Sequence, residues 1–220
     1  MSGRKDTRLS KKAIVFIDFD GTITMEDSLV GTLRLFAPAE EFKLYSEKLA
    51  KGELTLSQVV RHGFDGAPAA WLPGMLDYVK TIPLRPGFPE FLDEMDRRGI
   101  PVVVISGGMR QFVELRLAPY LSRFAGLHAV ELETDGEVMH LNSPYDNGDE
   151  LLAKTEVMKL YDYDYAIGIG DSFTDRNMAK AVDTVFARDI LAKFLTKAGI
   201  PFLPYEDFHQ VIAQFPDLHE

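Results

Sequence analysis

The sequence predicts an α/β fold, a Rossmann-like and mainly parallel sheet with a helical insertion after its first strand. Two observations carry that expectation. Short, continuously apolar, β-branched runs recur along the chain, as strands buried on both faces require. Amphipathic stretches of helical period lie between them, and strands alternating with helices build a parallel sheet. A third observation places the insertion, because the region from Ser28 to Leu84 contains no such run.

The elements follow in order. The basic opening MSGRKDTRLSKK (1–12) has no apolar stretch behind it and is expected to be a disordered tail, not a signal peptide. AIVFID (13–18) is the first buried strand. Residues 28–84 look helical in pieces, broken at Pro38 and Gly52, between two joints, TITMED and LRPG. Pro86-Gly87 marks a turn at which the alternation resumes. PEFLDEMDRRG (89–99) has early acids, late arginines and a stopping glycine, which predicts a helix. IPVVVIS (100–106) is the second strand and runs into Gly107-Gly108. A helix is expected over 109–118. HAVELE and EVMHL, separated by TDG, predict a hairpin. A helix over 153–161 leads to YAIGIG (165–170), a helix over 174–181 to TVFA (184–187), and a last helix covers 190–198. The domains expected are thus a core of 13–27 and 85–220 and a helical unit of 28–84.

Composition bounds the function. At 220 residues the chain can bury one sizeable core with a small accessory unit. The net charge of −10 argues against general nucleic-acid binding, and no apolar run reaches the length of a membrane span. An acidic protein that handles an anion needs local positive charge. The absence of cysteine removes disulfides and thiolate metal sites and fits a reducing, cytoplasmic setting.

In open α/β sheets ligands bind at the carboxyl ends of the strands, and the chemically suggestive residues fall there. The first strand ends in Asp18-Phe19-Asp20-Gly21-Thr22, the second in Ser106-Gly107-Gly108, the third in Gly170-Asp171-Ser172-Phe173-Thr174-Asp175. Lys154 opens a helix. Carboxylates at 18, 20 and 171 suit a hard divalent cation such as Mg²⁺, which would offset the repulsion between Asp18 and Asp20. Ser106 and the amides after it can hold phosphoryl oxygens, and Lys154 adds an ammonium. An EF-hand loop also begins D-x-D, but its sixth position must be Gly and its twelfth Glu; here they are Ile23 and Leu29. The five histidines show no metal-ligand spacing. Asp149 and Glu150 read as a solvated loop.

DFDGT, ISGG, a downstream Lys and GDSFTD, in that order, resemble the four motifs of the haloacid dehalogenase-like phosphatases, and the match runs over nearly the whole chain from Ala13. The insertion resembles the helical C1 cap of the phosphoserine phosphatase branch. The resemblance implies that Asp18 is the nucleophile and Asp20 the general acid and base. Mg²⁺ would be held by the Asp18 carboxylate, the Asp20 carbonyl and Asp171, with Asp175 behind them orienting Lys154 or a water. Ser106, Gly107, Lys154 and Thr174 would contact the phosphate.

Two substrates compete. A phosphoserine phosphatase would use Asp27, beside Glu26, for the amine and Arg61 for the carboxylate. A methionine-salvage phosphatase would act on 2-hydroxy-3-keto-5-methylthiopentenyl-1-phosphate. IDFDGTIT, VVVISGGM and FARDIL…FLPYEDF resemble the second group, although HLNSPYDNGDELLAK lacks the cysteines associated with it ahead of the motif lysine. The expected partner is a small phosphorylated metabolite, with neither nucleic acid nor membrane, and the expected assembly is a monomer or homodimer. A non-catalytic binding module of the same fold would have lost Asp18, Asp20, Lys154 or Asp171, and all four are present.

Overall fold

The structure, a computed structural model, describes residues 12–218. The tail expected over 1–12 lies outside the described residues save for Lys12, whose ammonium pairs with Asp162 at 2.6 Å.

Among the described residues seven strands form one sheet: β1 (Ala13–Ile17), β2 (Val102–Met109), β3 (Gly126–Thr134), β4 (Met139–Asn142), β5 (Tyr165–Gly170), β6 (Thr184–Ala187) and β7 (Leu203–Pro204). Their order is β4-β3-β2-β1-β5-β6-β7, parallel throughout except for the antiparallel β3–β4 hairpin. β1 is central, with Val15 opposite Val102 on one side and Ile167 on the other. All five of its residues are buried. Ile14 and Phe16 face one core with Val103, Ile105 and Ala166; Val15 and Ile17 face the other with Val104, Ile169, Phe91 and Phe208. A strand with both faces covered cannot alternate apolar with polar, so it reads as a continuous apolar run.

The insertion is helical, as expected. It comprises α1 (Ser28–Phe36), α2 (Ala39–Ala50), α3 (Leu56–Phe64) and α4 (Leu72–Thr81). The breaks fall beside Pro38 and at Gly52, whose φ is +71°. Thr55 and Gln58 form a capping box that starts α3. Leu33, Val60, Phe64, Met75 and Val79 of these helices belong to the same core as Phe16, so the segment packs onto one face of the sheet. It touches the sheet a second way. Gly66 N–H donates to Met139 O, Met139 N–H to Ala67 O and Ala69 N–H to Glu137 O, each at 2.8 Å, which lays 66–69 along β4. The two joints run beside each other and pair at Thr24 and Leu84.

The remaining helices are α5 (Phe88–Arg98), α6 (Arg110–Leu117), α7 (Lys154–Met158), α8 (Arg176–Ala181), α9 (Asp189–Ala198) and α10 (Phe208–Ala213). α5 ends at Gly99 with φ +66°, as its sequence requires. Three differences from the sequence reading matter. β2 continues through Gly107-Gly108 to Met109, with its register against β3 shifting after Ile105. α7 is only five residues long. β7 and α10 were not legible, because a two-residue strand and a short helix hold too few positions to show a period.

Candidate active site

Strands after β1 extend the sheet in one direction, and strands from β5 onward extend it in the other. The reversal leaves a crevice beyond the carboxyl ends of β1 and β5. Asp18 follows β1 and Asp171 follows β5, so the topology brings them together across it.

The loop after Asp18 is tightly folded. Thr24 N–H donates to Phe19 O (3.0 Å) and Gly21 N–H to Thr24 Oγ1 (3.2 Å). Gly21 takes φ +75°, and a Cβ there would collide with the Asp171 carboxylate. Thr22 is fully buried and its hydroxyl donates to Asp171 Oδ1 at 2.9 Å. Asp20 Oδ1 accepts the Ser28 N–H at 2.7 Å, while its Oδ2 is buried with no hydrogen-bond partner among the described residues. Gly108 passes so near that a Cβ would stand 2.5 Å from that oxygen and 3.1 Å from Ser106 Oγ. Ser106 is buried and its Oγ accepts the Gly108 N–H at 2.9 Å; among the described residues nothing crowds Gly107.

Lys154 is 1% exposed. Its ammonium donates to Asp18 Oδ1 and, at 2.6 Å, to Asp175 Oδ1. The rival Lys159 is exposed and pairs with Glu156. Asp175 Oδ2 accepts the N–H groups of Asp171 (3.0 Å) and Ser172 (2.9 Å). Asp175 therefore ties Lys154 to the loop that carries Asp171.

This clustering sets the electrostatics. Burial, and then the charge of Asp175, push Asp18 up to about 7 despite Lys154. Burial, then Asp18 and Asp175, push Asp171 up to about 9. Burial, then Asp27, hold Asp20 well above the usual carboxylate range. Burial works against the charge of Lys154, but Asp175 and Asp18 outweigh it and hold its pKa above the ordinary lysine value. A divalent cation bound by oxygen fits such a place. Oxygens of Asp18, Asp171 and Asp175 lie within 4.8 Å of one another. Both oxygens of Asp175 are already committed, which leaves Asp18 and Asp171 as the carboxylate donors.

The other expected contacts are not drawn into this cluster. Thr174 Oγ1 bonds Ser172 Oγ at 2.7 Å within its own turn. Asp27 caps α1 through Val30 N–H at 2.9 Å, while Glu26 accepts from Tyr78 OH at 3.2 Å. Of that pair, Asp27 is the one whose charge acts on Asp20. Arg61 donates through Nε to Asp146 (3.1 Å) and also pairs with Asp65. Glu150 is no solvated loop residue. It is buried and accepts from the Asn177 side-chain amide. A groove of about 340 Å³ lies within the helical segment, lined by Leu33, Phe42, Tyr45, His62 and Trp71 among others. None of the strand-end residues lines it, so this groove and the chemistry are in different places. Two residues of the crevice had no role in the sequence reading: Thr22, which sits inside DFDGT, and Arg85, which lies in a joint that reads only as a turn.

The sequence model of the haloacid dehalogenase-like hydrolase family matches residues 15–180. A 2-hydroxy-3-keto-5-methylthiopentenyl-1-phosphate phosphatase of Microcystis aeruginosa is 36% identical over 200 residues, covering 90% of this chain and 95% of its own. A protein of the same name from Brevibacillus brevis is 32% identical over 212 residues, covering 93% and 95%. Among solved structures, a HAD family hydrolase from Salmonella enterica serovar Typhi superposes with a TM-score of 0.75 at 20% identity, over 96% of this chain and 73% of that one. A phosphoserine phosphatase holding a phospho-aspartyl intermediate analogue gives 0.70 at 18%, over 94% and 100%.

Proposed function

The chain belongs to the haloacid dehalogenase-like hydrolases, and from that membership we propose that it is a Mg²⁺-dependent phosphomonoester hydrolase that works through an aspartyl-phosphate. The observation that carries the reading is the placement of Asp18 at the β1/β5 reversal, with Lys154 bonded to it and Asp171 beside it. Mg²⁺ would be held by the Asp18 carboxylate, the Asp20 carbonyl and Asp171, and when bound it supplies charge neutralisation and alignment.

The chain's own residues do the rest. A carboxylate oxygen of Asp18 attacks phosphorus and the ester oxygen departs. Lys154, Ser106 and the backbone after it stabilise the phosphoryl oxygens, where positioning and electrostatics supply most of the acceleration. Asp20 protonates the departing alkoxide through Oδ2, the oxygen without a partner among the described residues, while Oδ1 stays anchored on Ser28 N–H. The same oxygen then takes a proton from the water that hydrolyses the acyl-phosphate. We read 28–84 as a cap over a core of 13–27 and 85–220, excluding water until the alcohol has left.

For the substrate we favour 2-hydroxy-3-keto-5-methylthiopentenyl-1-phosphate, after the two relatives that carry its name over nearly their whole length. Arg61 supports this choice over phosphoserine, because Asp146 and Asp65 already occupy the guanidinium that would grip a substrate carboxylate. A small-metabolite phosphatase of this kind would work in the cytoplasm. The test is phosphate release from a panel holding the enol phosphate, phosphoserine and p-nitrophenyl phosphate, with Mg²⁺ and with EDTA. Preference for the enol phosphate supports the reading. Preference for phosphoserine overturns the substrate, and metal-independent release overturns the role of the cation.

A further inference from the structure

Arg85 is 5% exposed, and among the described residues its guanidinium bonds only backbone carbonyls. Its Nε donates to Thr22 O at 2.8 Å. One terminal nitrogen donates to Gly21 O and, at 3.2 Å, to Thr24 O, and the other donates to Glu206 O at 3.2 Å. Its own N–H donates to Ile23 O at 2.7 Å. A buried guanidinium surrounded by carbonyls is an expensive arrangement to keep, and it is useful where several backbone oxygens must converge on one point. The planar fork does this and an ammonium, with its single nitrogen, does not.

Four of those oxygens, three on the guanidinium and Ile23 O on the backbone N–H, belong to the loop between Asp18 and α1. We propose that Arg85 is a positioning residue for the reaction, fixing the backbone turn that sets Asp18 and Asp20 against Lys154 and Asp171. This rests on the reading above, in which those residues act on the phosphate. Thr22 shows how the effect travels: its carbonyl is held by Arg85 while its hydroxyl donates to Asp171. Gly21, whose carbonyl Arg85 also holds, leaves no room for even a methyl group against the Asp171 carboxylate. A small rotation of the turn therefore shifts both the oxygens of the loop and the acid facing them. Through Glu206 O, which also accepts from Arg188 at 2.9 Å, the guanidinium joins this turn to the C-terminal segment after β7.

The test compares Arg85→Lys and Arg85→Gln with the unaltered full chain, using p-nitrophenyl phosphate and Mg²⁺, with Tm and amide exchange over 19–24 measured alongside. Misplacement of reacting groups predicts a fall in kcat of about 10- to 100-fold, with KM changed less than about threefold. Exchange over 19–24 should quicken while that over β1 stays slow. Arg85→Lys keeps the charge, so its Tm should drop less than that of Arg85→Gln while its kcat stays low. Should the Gln variant unfold, the Lys variant carries the test. Unchanged kcat per folded molecule in Arg85→Lys, or unchanged exchange over 19–24, would overturn the proposal. An unaltered chain that releases no phosphate would overturn the functional reading instead, and exchange over 19–24 would still decide whether Arg85 holds the turn.

Discussion

Asp175→Asn removes a charge and half the acceptor capacity at a position with no exposed surface. The carboxylate now serves the Lys154 ammonium at 2.6 Å with one oxygen, and two backbone N–H groups at 3.0 and 2.9 Å with the other. An amide has one acceptor oxygen. Turned toward the backbone, it puts its NH₂ against the ammonium; turned toward the ammonium, it puts the NH₂ against two donors. Breaking a buried ion pair from one side costs about 3–5 kcal/mol. A counter-effect exists, because Asp175 helps push up both Asp18 and Asp171, and its loss eases that repulsion. The lost contacts are direct and the relief is spread over two groups, so the variant remains destabilised, by about 2–4 kcal/mol. At about 2–4 °C per kcal/mol for a chain of this size, Tm falls by roughly 4–16 °C. Asp171→Asn should behave differently. With its pKa pushed up to about 9, Asp171 is protonated at neutral pH without metal, and Thr22 Oγ1 keeps an acceptor after the substitution. Its Tm in EDTA should move by less than about 2 °C while its stabilisation by Mg²⁺ disappears. Circular-dichroism melts at pH 7.5, in EDTA and in Mg²⁺, measure both. Equal shifts in EDTA, or a Mg²⁺ response surviving Asp171→Asn, would refute the separation of the two acids into strut and ligand.

Stability without metal should fall as pH rises. Asp18 at about 7 and Asp171 at about 9 hold protons more tightly folded than unfolded, so their contribution is full below pH 3.8 and is lost through 7 and 9. Tm in EDTA should drop between pH 5 and 9 and the drop should flatten in Mg²⁺; a rise over that range contradicts the assignment. Asp20→Asn should cut the single-turnover release of alcohol from an alkyl phosphate by about 10²- to 10⁴-fold, and the first-turnover burst of p-nitrophenol by much less, because that leaving group needs no proton, while the later hydrolysis of the acyl-phosphate slows alike for both. Equal losses in the two first-turnover releases would remove Asp20 as the acid. Gly21→Ala forces a side chain into positive φ and against Asp171, and should cost about 1 kcal/mol or more and weaken Mg²⁺ binding. Isothermal titration reads the affinity, and an unchanged value would show that the turn tolerates the shift.

What could be read from the sequence was whatever leaves a local signature. β1, β5 and β6 were legible because strands covered on both faces are apolar without interruption. The meeting of Asp18 with Asp171 was legible because both follow neighbouring parallel strands, while Ser106 lies inside β2 and not at its end. Lys154 needed the order of motifs, since one lysine on a five-residue helix has no distinguishing period. The contacts that give these residues their character were not legible. Lys154 meets Asp18 across 136 positions, and Arg85 meets Thr24 across 61 and Glu206 across 121. Arg61 reads as a free cation until the fold brings Asp146 to it, and Glu150 reads as solvated until Asn177 covers it. Each is a pairing between distant segments, set by packing and not by its neighbours in the chain.

The strip of backbone laid along β4 by residues 66–69 has a consequence for solubility. β4 is the outermost strand on its side of the sheet, and a bare outer strand offers unpaired N–H and C=O groups to any other chain. The helical segment occupies the N–H and C=O of Met139 and, through the Asp65 carboxylate, the N–H of Leu141, while the opposite margin is only two residues long and includes Pro204. Excising 28–84 to isolate the core would therefore uncover a sticky margin, and the shortened protein should self-associate whatever becomes of its active site. Self-association of that shortened protein would give the segment a protective part separate from any it has toward substrate.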